Sequence, residues 1–108
     1  MIRVSVSQSP QKIHSLSISG HAAFAKHGED LVCAGVSSIA TGALNALDQI
    51  ASQSCELRLS NEDDASIEIN VLDLENRDVQ IILHTVLIQL ETIENQYSKY
   101  IHISKEEV

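Results

Sequence analysis

The sequence predicts an α+β domain, with two helices on a mostly antiparallel sheet in the order β-β-α-β-β-α-β. Three observations predict it. Short segments alternate apolar and polar residues, two longer segments carry apolar residues every three or four positions, and turn-forming residues separate them. The 108 residues suit a single domain spanning 1–108.

The elements follow in order. Ile2, Val4 and Val6 share one face of a strand over residues 2–7. Gln8-Ser9-Pro10-Gln11, with the only proline, supplies a turn. Leu16 and Ile18 are in phase within a second strand over 13–19, which completes a hairpin. Residues 20–31 show no sustained period and read as a long connection between Gly20 and Gly28, of the kind that is often functional. From about 32 to 52, Val36, Ala40, Ala43, Leu47 and Ile50 form a helical stripe, with Asp30 as the expected N-cap. Leu57 and Leu59 alternate in a third strand, and Ile67, Ile69 and Val71 in a fourth. The polar run Ser60-Asn61-Glu62-Asp63-Asp64 links the two. A second helix is expected over 74–97 with Asp73 as its cap, burying Val79, Ile82, Leu83, Val86, Leu87, Leu90 and Ile93. Ile81 and Ile88 fall off that stripe, seven apart, where a homodimer contact or a wide buried face would each use them. Tyr97 to Ile103 reads as a final short strand.

Composition narrows the function. The chain is 44% hydrophobic and 20% charged, which argues for a packed core rather than disorder. Its aromatic content is only 3%, so that core is aliphatic. The net charge of −8 opposes binding to a phosphate backbone, so no direct nucleic-acid contact is expected. The same charge suits a basic protein partner. Met1 to Val6 alternates and lacks the apolar core of an export signal. No apolar run approaches the roughly 20 residues of a membrane span, so no membrane is expected. No cofactor is expected either. The expected location is the cytoplasm, where Cys33 and Cys55 would stay reduced.

The chemistry concentrates between residues 20 and 37. His21 and Cys33 stand twelve apart, the first on the glycine-flanked connection and the second where the apolar-striped helix begins. A free thiol with a pKa near 8.5 is only a few per cent thiolate at neutral pH. A helix N-terminus and a nearby imidazolium both favour the charged form. The pair is thus the minimal equipment of a cysteine nucleophile and its base. Backbone N–H groups near Cys33 and Ala34 are candidate oxyanion donors, and small residues at 34 and 35 would admit a substrate backbone. Asp30 would aim Cys33 as a cap or orient His21, while its charge would oppose a thiolate. Ser37, one turn on, stands near the thiol or merely tolerates a crowded face.

A lone cysteine is by rule a small buried hydrophobe, and Cys55, at a strand start, fits that description. His14, His84 and His102 are scattered, and His21, His27 and Cys33 have no familiar zinc spacing, so no metal is expected. What distinguishes Cys33 is the string around it.

That string, Gly20-His21-Ala22, Gly28-x-Asp30-x-Val32-Cys33-Ala34-x-Val36-Ser37 and Gly42-x-x-Asn45-Ala46-Leu47, resembles the ribosomal-processing cysteine protease family, Prp. The resemblance implies a cytosolic bacterial cysteine endopeptidase, a small α+β homodimer with Cys33 as nucleophile and His21 as base. It implies a substrate too: the precursor of one large-subunit ribosomal protein, from which a short apolar N-terminal extension is removed. It also implies a mobile substrate loop over roughly 20–32, containing Gly20, Phe24, Gly28 and Leu31, with Leu31, Val32 and Phe24 as apolar contacts. The alternatives are a non-catalytic ribosome-associated binding module, which would need no thiol, and a redox sensor pairing Cys33 with Cys55.

Overall fold

Five strands form one mixed sheet in the computed structural model, which describes residues 1–20, 29–60 and 66–108. In chain order the elements are β1 (Ile2–Ser9), β2 (Lys12–Ser19), α1 (Glu29–Ala51), β3 (Cys55–Ser60), β4 (Ser66–Val71), α2 (Arg77–Gln96) and β5 (Ile101–Glu107). The spatial order is β3-β4-β2-β1-β5. β1 pairs in parallel with β5, and the other neighbours are antiparallel. The predicted element order and fold class are those observed.

Strand alternation decides the two faces of the sheet. Val4, Ile18, Ile67 and Leu59 lie in one cross-strand row, and Val6, Leu16, Ile69 and Leu57 in the next. These rows face the helices. Val4, Val6, Leu16 and Ile69 are nearly inaccessible and pack with Val36, Ala40 and Leu47 of α1 and Val79, Leu83 and Leu90 of α2. Burying each such aliphatic side chain is worth about 1.5–3 kcal/mol relative to leaving it exposed. The opposite face carries Ser5, Ser7, Ser15, Ser17, Glu68 and Asn70 and, among the described residues, no helix.

Three boundaries and one reading of hydropathy differ from expectation. α1 begins by Glu29, so Asp30 is a residue of its first turn rather than the cap before it. An acidic residue is at home there because the positive end of the helix dipole favours it. α2 is capped by Asn76, whose side chain accepts the Val79 N–H at 3.1 Å. Asp73 instead accepts the N–H of Glu75 at 3.0 Å and so shapes the preceding turn. Tyr97–Tyr100 is a turn, because the Tyr97 N–H still bonds to Ile93 O at 2.9 Å and β5 starts only at Ile101. Finally, Leu31–Ala51 is long and apolar enough to cross a membrane by composition, with mean hydropathy 1.3. In this fold that helix packs on the sheet and on α2.

Sequence reading also missed a clamp. β1 and β2 slip register between Ser7 and Gln8, leaving His14 as the extra residue of a bulge. Next to it, buried Gln80 of α2 accepts from Ile13 N at 2.8 Å and donates to Ile13 O at 2.9 Å. A helix glutamine thereby satisfies both backbone groups of a strand residue.

Candidate active site

Cys33 is the fifth residue of α1 and is half-buried. Its helix offers one polar edge, Cys33, Ser37 and Thr41, at intervals of one turn, beside the smaller apolar pair Val36 and Ala40. All five line a cavity of about 200 Å³. Its other wall is one end of the sheet: Ile2, Ile18, Gly20, Leu59, Ser60 and Ile67. Aliphatic residues share the lining with Cys33 and the small hydroxyl residues Ser37, Thr41, Ser60 and Ser66. Cys33 therefore addresses an apolar hollow able to take a side chain, with Ser37 one turn away as expected.

Gly20 supplies the backbone geometry at this end of the sheet. It closes β2 with φ at +82°, where a side chain is strained, and an added Cβ would collide with the Met1 carbonyl oxygen. The chain thus turns, close against Met1, immediately before His21.

The remaining candidates divide. Leu31 is 62% exposed on the first turn of α1, available to a ligand. Val32 is 2% exposed and belongs to the core, which corrects its assignment as a substrate contact. Gly35 faces α2, where an added Cβ would lie 3.4 Å from Ile93 Cδ1, so its smallness serves helix packing rather than substrate approach. Ala34 is exposed. In a helix that starts by Glu29, the N–H groups of Cys33 and Ala34 point to carbonyls one turn earlier, so they are spent within the helix. His21, Phe24, His27 and Gly28 lie outside the described residues, as does the side chain of Asp30. Among the described residues no group of three His, Cys, Asp or Glu side chains converges as a metal site.

Cys55 opens β3 and is buried, and burial pushes its thiol up from the ordinary range. Neither cysteine is in a disulfide. Of the residues that wall the cavity, Ile2, Ile18, Leu59 and Ile67 read in the sequence only as strand-face positions, Gly20 as part of the expected substrate loop and Ser60 as part of a polar link. Nothing in their own spacing connects Ile2 or Leu59 with Cys33.

Comparison with known proteins agrees with this geometry. The family model described as "Cysteine protease Prp" matches residues 1–102. The ribosomal processing cysteine protease Prp of Bacillus subtilis is 36% identical over 109 residues, covering 96% of each chain. That of Staphylococcus aureus is 30% identical over 105 residues, covering 96% of this chain and 98% of its own. The S. aureus protease solved in complex with a covalently linked product peptide superposes with a TM-score of 0.86 at 30% identity, covering 98% of this chain and all of that one. A chain of this fold, with a thiol on an apolar hollow and this similarity from end to end, belongs to the Prp family of cysteine proteases.

Proposed function

We propose that this protein is an endopeptidase that removes a short N-terminal extension from a large-subunit ribosomal protein, with Cys33 as nucleophile and His21 as general base. The observation that carries the reading is the contrast in setting: Cys33 lines an accessible apolar cavity, whereas Cys55 is buried. In the first step His21 takes the proton of the Cys33 thiol, Cys33 Sγ bonds to the scissile carbonyl carbon, and the C–N bond then breaks as the tetrahedral intermediate collapses. The imidazolium of His21 gives its proton to the leaving amine. Water then attacks the thioester with His21 accepting its proton, and the carboxylate product and the thiol are released. Ser37 lines the same cavity as Cys33, and the exposed Leu31 offers an apolar contact on the approach.

The names of the relatives support a ribosomal substrate, and the S. aureus protease is bound covalently to a product peptide in its solved form, a state that thiol chemistry makes accessible. A net charge of −8 favours encounter with a basic ribosomal protein and disfavours nucleic acid. The unbridged cysteines suit the reducing cytoplasm. For the homodimer, the candidate contact is the outer face of the helix pair. Ile81 and Ile88 are 56% and 61% exposed there, and a groove runs between α1 and α2 past Gly42, Ala46, Ile81 and Thr85.

The test is direct. Peptides spanning the N-termini of this organism's ribosomal proteins are incubated with the protein and read by mass spectrometry. One of them is cut once near its N-terminus, and Cys33→Ala and His21→Ala, both folded, leave it intact. Cleavage at the wild-type rate by either variant refutes the assignment. Binding that survives Cys33→Ser, with no cleavage of any peptide by the wild type, points instead to a binding module.

A further inference from the structure

The two edges of the sheet are treated differently. Antiparallel pairs alternate between bonded and non-bonded rows. The Leu72 N–H donates to Ser54 O at 2.7 Å, so in the β3–β4 register Glu56–Asn70, Arg58–Glu68 and Ser60–Ser66 are the bonded rows. Carried across the sheet, the same alternation turns Ile2 and Gln8 toward β5, where the Ile2 N–H indeed meets Tyr100 O and the Val108 N–H meets Gln8 O, each at 2.9 Å. The backbone N–H and C=O groups of Leu57 and Leu59 therefore point out of the sheet at the β3 edge.

At the opposite edge the outward groups of β5 are guarded. Glu94 caps the Ile103 N–H at 2.7 Å, Lys105 is tied to Glu91 at 2.8 Å, and Glu106 and Glu107 add charge. These are the devices that keep an edge from pairing. Among the described residues no side chain bonds to the N–H of Leu57 or Leu59. Leu59 is also 65% exposed, and it lines the same cavity as Cys33. β3 does carry edge charge, Glu56 and Arg58 paired at 3.6 Å, but its outward backbone groups take no side-chain partner among the described residues, and it ends at the cavity of Cys33.

We infer that the free edge of β3 is the substrate-binding surface, taking an extended peptide as an added strand and delivering its scissile bond to Cys33. This rests on the peptidase reading above. Main-chain bonds to Leu57 and Leu59 give affinity without regard to sequence. Every second substrate side chain then turns to the helix side of the sheet, where the cavity walled by Ile18, Val36, Leu59 and Ile67 accepts an apolar one. The substrate class is accordingly an unstructured segment with an apolar residue near the cut and no proline where an N–H must be donated.

The experiment takes a peptide the wild-type protein cleaves and methylates its backbone nitrogens one at a time. Cleavage kcat/KM is expected to fall about tenfold at alternate positions and to change little between them. On the protein side, Leu59→Pro removes one outward N–H without touching a β4 bond, and Leu59→Ala reports the side chain alone. The proline variant is expected to lose about tenfold more kcat/KM than the alanine variant, mainly through KM. Uniform effects of methylation along the peptide overturn the inference and leave the peptidase reading intact. If the proline variant fails to fold, the methylation scan decides, since it leaves the protein untouched. A wild-type dimer that becomes monomeric in Leu59→Pro at unchanged kcat/KM would assign the edge to a second copy and likewise overturn it. Failure of the wild type to cleave any peptide removes both readings.

Discussion

The two cysteines have the same side chain and opposite surroundings. Cys33 sits on a helix, half-buried, with hydroxyl residues at the next two turns and an apolar hollow before it. Cys55 opens a strand inside the core, where burial raises its thiol and holds it neutral. The first setting exposes sulfur to a ligand, and the second uses it as a small hydrophobe. Reactivity is thus a property of the site that the fold builds around the residue.

The largest expected effect is on cleavage. Cys33→Ala should abolish it, a loss of at least about 10⁴-fold in kcat, while Cys55→Ala stays within about twofold of wild type. Peptide cleavage followed by mass spectrometry checks both, and equal losses would break the comparison. His21→Ala should cost about 10²–10⁴-fold, as removal of a general base does. Iodoacetamide at neutral pH should modify Cys33 in the native protein and reach Cys55 only on unfolding, read from the mass of each tryptic peptide.

Stability effects are smaller. Gly20→Ala should destabilise by about 1–3 kcal/mol, because it strains a left-handed backbone and collides with Met1. Chemical denaturation checks that value. Removal of the clamp in Gln80→Ala should cost a similar amount, about 1–3 kcal/mol, by leaving the backbone groups of Ile13 unpaired, with cleavage unchanged. Smallest is a pH effect at Cys55. The folded state keeps a proton that the unfolded chain loses near the ordinary thiol value of about 8.5. That contribution is present below this pH and is lost as pH rises through the higher folded value. The wild-type Tm should therefore fall more steeply above about pH 8.5 than that of Cys55→Ala.

Much of this was readable residue by residue. Alternation in Ile2-Val4-Val6 and the stripe from Val79 to Ile93 are local consequences of strand and helix geometry, and both faced the core as expected. Boundaries were less readable. Asp30 and Asp73 both carry the chemistry of a cap, and side-chain type alone does not separate a cap from a first-turn acid or a turn former. Tyr97 to Ile103 reads as one short strand, yet the last turn of α2 claims the backbone of Tyr97 and β5 starts only at Ile101.

By itself the sequence determined the class of the fold, the order of its elements and the motif that holds Cys33, because each depends on spacing along the chain. Tertiary structure alone decided that Ile2, Ile18, Leu59 and Ile67, from four different strands, meet at that thiol, and that Val32 and Gly35 turn away from it. It alone decided that Leu57 and Leu59 turn their backbone groups away from β4. The physical reason is the same throughout: periodicity is written in neighbouring residues, whereas a cavity is made by packing elements whose contacts lie far apart in the chain.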